Sequence, residues 1–152
     1  MALLFAAAYD PATAVTKATT AALAMTAIDT ANLRATFTAP ANGRVLVRHA
    51  CTWHGGTAVA ALLLGVLEGA TVRARFAPET IWPGAPVATS LVGLTSLVPV
   101  TGLSPGTTYV WDAAYGVETV SAAGTGIKYG GPNNAVVNDA FGAYVFEVHS
   151  AP

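Results

Sequence analysis

Between its prolines and glycines, this chain alternates apolar and polar positions with a period of two. Leu33, Ala35 and Phe37 alternate with Arg34, Thr36 and Thr38, the pattern of a strand with one buried face. The run breaks at Pro40, Ala41, Asn42 and Gly43, where Asn and Gly tolerate positive φ, and a turn is expected. Residues 44–53 read as a second strand. Val45, Val47, His49, Cys51 and Trp53 share one of its faces, and Leu46, Arg48, Ala50, Thr52 and His54 the other. Further on, Val72, Ala74 and Phe76 alternate with Arg73 and Arg75. Tyr109, Trp111, Ala113, Tyr115 and Val117 share a face within residues 107–118, and Tyr144, Phe146 and Val148 share one in the last strand, 140–149. One or two short strands are expected in 87–100.

Residues 58–67 break the alternation. Ala60, Leu62, Leu64 and Val66 fall on one face, and Val59, Ala61, Leu63 and Leu67 on the other. A strand that is apolar on both faces must be covered on both. One cover is the domain core. The other is either a second subunit or a loop of the same chain, and a buried helix of about three turns fits the same run. The subunit alternative makes Val59, Leu62, Leu63, Leu64 and Val66 candidate interface residues, with Tyr144 and Phe146 beside them.

About eight strands spaced by turn signals, without a strong amphipathic helix, predict an all-β fold. The expected architecture is an antiparallel β-sandwich or jelly roll over residues 32–152. Residues 1–31, rich in Ala and Thr, stand apart as an N-terminal arm or first strand region, with a strand expected near residues 20–28.

Composition changes the picture most through charge. Only 10% of the 152 residues are charged and 53% are hydrophobic, against about 25% charged in an ordinary domain. Seven basic and eight acidic residues are few for the surface of such a domain, so part of the outside is expected to lie against other chains. The net charge of -1 gives no basic stripe for nucleic acid. The apolar run at 58–67 is shorter than the roughly 20 residues of a membrane span. No Lys or Arg precedes the apolar start, so a secretory signal is not expected. A single cysteine, Cys51, permits no intrachain disulfide.

Few residues invite chemistry. Cys51 lies between His49 and His54, but a thiol nucleophile needs a base and an orienting group at hand, and no nucleophile elbow surrounds it. It reads as a small buried hydrophobe beside a partly exposed imidazole. His49, Cys51 and His54 are zinc-ligand types, yet alternation along a strand sends His54 to the opposite face. The acids are dispersed singly. Residues 124–131 superficially suggest a phosphate loop without its residue order. Trp53, Tyr109, Trp111 and Tyr115 form a core before they form a sugar platform. The expectation is no enzyme, no cofactor and no metal.

Residues 32–48 (NLRATFTAPANGRVLVR), 61–69 (ALLLGVLEG) and 102–111 (GLSPGTTYVW) resemble segments of small β-rich virion proteins from phages of actinobacteria. Residues 140–148 (AFGAYVFEV) resemble the last strand of tumour-necrosis-factor and complement-head jelly rolls, which are trimers. The resemblance implies a homotrimeric jelly roll serving as a capsid decoration protein. Its partner would be the major capsid protein, and its location the capsid surface after synthesis in the host cytoplasm. Leu3, Leu4, Phe5 and Tyr9 of the arm would then touch the capsid. The alternative is a tail or head fibre domain that binds a host receptor or glycan through residues 78–86, which include Trp82, or through 124–134. Residues 103–109 (LSPGTTY) also resemble a corner of the fibronectin type III sandwich, in which a Tyr hydroxyl ties back to the backbone.

Overall fold

A computed structural model describes residues 1–17, 21–54, 62–76, 91–117, 128–131 and 142–152. Its elements are strands: β1 (Leu3–Tyr9), β2 (Val15–Thr16), β3 (Met25–Ala27), β4 (Arg34–Thr38), β5 (Val45–His54), β6 (Leu62–Glu68), β7 (Thr71–Phe76), β8 (Leu91–Val100), β9 (Thr108–Val117), β10 (Lys128–Tyr129) and β11 (Tyr144–Ser150). They form two antiparallel sheets packed face to face. In the first, β1 pairs with β11, β11 with β5, and β5 with β8 along its whole length; β10 and β2 extend the sheet beyond the end of β11. In the second the order is β3-β9-β6-β7, and β4 lies in line with β3 on the same edge of β9.

The eight longer strands, taken in chain order, fall first-eighth-third-sixth in one sheet and second-seventh-fourth-fifth in the other. Apart from β6 and β7, which pair in the second sheet, successive long strands cross between the sheets, in jelly-roll order. Of residues 87–100, the described part forms one strand of ten residues, Leu91–Val100, longer than the short strands expected there. The described part of residues 1–31 supplies β1, β2 and β3 to the sheets, which is the strand-region alternative of the sequence reading.

The alternating faces build the core. Leu33, Ala35 and Phe37 from β4 and its approach meet Val45, Val47, His49 and Trp53 of β5, with Trp111 of β9 and Tyr144, Phe146 and Val148 of β11. Phe37 packs edge-on against Trp111 at 4.7 Å, and Trp53 edge-on against Tyr144 at 5.8 Å. Such ring pairs add about 0.5–1.5 kcal/mol each beyond their buried area. At the turn before β9, the Ser104 amide donates to the Tyr109 hydroxyl at 3.0 Å. The corner seen in the sequence is therefore real, although the strand order around it is that of a jelly roll.

β6 is buried on both faces within the single chain. Leu62, Leu64 and Val66 enter the core. Leu63 and Leu67 on the opposite side are buried as well. Beside Leu63, residues 24 and 25 come against Gly116 and Gly65 of the second sheet. An ideal β-carbon on Gly116 would lie 2.3 Å from the Ala24 carbonyl oxygen, and one on Gly65 would lie 3.0 Å from the Met25 methyl. These two glycines form the shelf on which the segment rests. Arg75 secures it by donating to the Leu23 carbonyl at 2.6 Å, while the Leu23 amide donates to Val117 O at 2.8 Å.

Candidate interaction surface

The residues with catalytic potential are built into the core. The His49 ring is fully buried, and its Nδ1 lies 2.8 Å from the Tyr144 hydroxyl. The imidazole expected to be partly exposed is thus enclosed, because β11 and the second sheet close over the inner face of β5. Burial pushes the His49 pKa down to about 3 and the Cys51 thiol up to about 12. Both groups are therefore neutral near pH 7. An un-ionised thiol is a poor nucleophile, and the hydrogen bond to Tyr144 offsets little of the burial. Among the described residues no three His, Cys, Asp or Glu side chains gather as a metal site.

The surface that stands out is the outer face of the first sheet. Strand pairing sets its residues in rows. One row runs Ala8, Val145, Ala50, Thr95; the next runs Ala6, Glu147, Arg48, Leu97; beyond Ala50, Thr52 faces Gly93. The solvent side of an antiparallel sheet is ordinarily polar. Here the positions around Ala50 and Thr52 carry only small, uncharged side chains, with Lys128 of β10 on the row beyond. Leu3 and Leu97 are 57% and 56% exposed. Charge on the rows is gathered into one group: Arg48 donates to Glu147 at 3.1 Å, and His149 Nε2 lies 2.9 Å from the same carboxylate oxygen. The His149 hydrogen bond, then Arg48, hold the Glu147 carboxyl below its usual range against a partial desolvation.

An open depression of about 280 Å³ lies on this face, with Ala50, Thr52, Gly93, Thr95 and Val145 among its lining residues. It forms where β11 stops pairing with β5 at Val145 and Ala50, before β10 takes over at Trp53. Its lining contains no charged side chain. Such a hollow suits packing against another polypeptide better than it suits acid–base chemistry.

The expected interface residues lie elsewhere. Leu62, Leu63, Leu64, Val66, Tyr144 and Phe146 are all buried inside one chain. Val59 lies outside the described residues, as do residues 78–86 with Trp82 and most of 124–134. Leu3, Leu4, Phe5 and Tyr9 come together on β1; Leu4, Phe5 and Tyr9 pack partly against the core, while Leu3 projects outward. The small-residue face was missed by pattern reading because small side chains give no hydropathy peak. Its only trace in the sequence is the weak polarity of Ala50 and Thr52 on the alternate positions of β5. The chain matches no protein family model, no curated protein and no solved structure.

Proposed function

We propose that the chain is a non-catalytic structural protein of a phage virion, a capsid decoration or cement protein that binds the major capsid protein as a homotrimer. The observation that supports this reading is the outer face of the first sheet, where Ala6, Ala8, Ala50, Thr52, Gly93, Thr95 and Val145 give small, uncharged neighbours beside an open depression. Covering such a face with copies of the same chain removes apolar surface from water at about 25 cal/mol per Å² before entropic losses. The identity of the wider assembly rests on the virion-like segments in the sequence. Repetition over many lattice sites then turns a modest contact into firm attachment.

Two measurements test the reading in sequence. Light scattering on the eluting protein should give a whole multiple of three chain masses, and Ala50→Glu with Thr95→Glu should reduce it. The wild-type protein should then co-sediment with phage capsids purified without a decoration layer. A monomer that ignores such capsids would overturn the proposal.

A further inference from the structure

Sheet edges offer unpaired main-chain groups, and proteins blunt them with charge, proline or brevity. Three long edges of this sandwich are blunted. β8 carries Pro99, which has no N–H; β7 carries Arg73 and Arg75; β4 carries Arg34. The fourth, β1, reads Leu-Leu-Phe-Ala-Ala-Ala-Tyr. It has no charge and no proline over seven residues. Its one irregularity falls between Leu3 and Phe5, leaving Phe5–Tyr9 in regular register with β11. Among the described residues, no strand bonds to its other edge.

The order of side chains along β1 says what fits there. The bulky residues, Leu3, Leu4 and Phe5, fill the first half, and Ala6, Ala7 and Ala8 follow. Laid antiparallel against itself about Ala6, the strand sets Phe5 opposite Ala7 of the second copy and Leu4 opposite Ala8, with Ala6 facing Ala6. Phe5 and Leu4 each meet an alanine in both halves of the pair, and at its ends Leu3 meets Tyr9. Directly opposed residues are the contacts that set the energy of a strand pair. The two-fold row would read Leu97, Arg48, Glu147, Ala6 and then the same residues in reverse. Each Glu147 is already neutralised by its own Arg48, so the pairing brings no bare like charges together.

We infer that the free edge of β1 pairs antiparallel with β1 of a second copy, joining two first sheets into one continuous sheet across an isologous interface. This contact is separate from the sheet-face contact and from any capsid, and it holds or fails independently of both.

A cysteine scan tests it. In the centred register two Ala6→Cys side chains oppose one another within disulfide reach, since opposed Cα atoms in an antiparallel pair stand about 4.5–5.5 Å apart. Two Ala8→Cys side chains would be displaced by four residues, about 14 Å. Both alanines are exposed, so neither change disturbs the core, and native Cys51 is buried. Mild oxidation of the full chain should link Ala6→Cys into dimers with a 6–6 disulfide by mass spectrometry, and leave Ala8→Cys unlinked. Absence of the 6–6 link, or equal linking at both positions, would overturn the inference. Loss of capsid binding with the 6–6 link intact would overturn only the capsid reading.

Discussion

At Gly116 the second sheet has room for a hydrogen and nothing larger. A β-carbon there would press on the Ala24 carbonyl at 2.3 Å and the Met25 sulfur at 2.9 Å. Gly116→Ala should therefore cost about 1–3 kcal/mol in urea unfolding, the usual range for overpacking. Adding Met25→Ala should not restore the loss, because the closer obstacle is backbone. His49 makes a different prediction. Its folded-state pKa of about 3 lies well below the unfolded value of about 6.5, so below pH 6.5 the unfolded chain takes up the proton and the folded one refuses it. The contribution of neutral His49 is complete above pH 6.5 and is lost toward pH 3, by up to about 1.4 kcal/mol per pH unit. Melting curves of His49→Asn, which can keep a polar atom toward Tyr144, should fall less steeply over that window than those of the parent. Alternation alone placed His49 and Cys51 on the core side of β5. It gave no sign that the imidazole would be wholly enclosed, because enclosure depends on Tyr144 and Phe146, nearly a hundred residues away.

Among the elements, β6 shows how far a local pattern reaches. Two apolar faces in residues 62–67 required two covers, and both exist. Which segment lies beside it was not legible, since residues 21–25 carry no feature that marks them for the Gly65 and Gly116 shelf. Their placement depends on β9 and β6 lying side by side, a contact of long sequence separation. The same segment contains Leu23 at φ +61°, an uncommon conformation for a residue with a branched side chain. It is held by hydrogen bonds at both its amide and its carbonyl. Removing one should loosen the segment without unfolding the sandwich. We expect Arg75→Ala to speed hydrogen exchange at the Leu23 amide by at least tenfold, with exchange at core amides such as Val47 unchanged. By contrast, the strands at Arg34–Thr38, Val45–His54 and Tyr144–Ser150 were readable because each has one wetter face and one dry one. β9, Thr108–Val117, alternates in its sequence but is buried on both faces from Trp111 onward. There Asp112 is buried under a two-pronged contact with Arg34, at 2.7 and 2.9 Å.

For the whole molecule, scarcity of charge means that a few groups set its response to acid. Glu147 titrates below an ordinary carboxyl, first through His149 and then through Arg48. Its stabilising effect is present above the unfolded-state pKa and fades as pH falls through the lower folded value. Glu147→Gln should flatten that part of the acid melting profile below about pH 4. The sandwich class and its antiparallel nature followed from periodicity. The neutral sheet face did not, because it exists only once four strands from opposite ends of the sequence lie side by side. That same adjacency governs how the fold answers to force. The Ser150 amide donates to the Ala2 carbonyl at 2.8 Å, and β1 runs antiparallel to β11 from there. Tension applied between residues 2 and 150 therefore loads the ladder one rung at a time, as a zipper and not as a lap joint. In a single-molecule pulling experiment the first strand should peel away at low force, while the sandwich behind it stays closed.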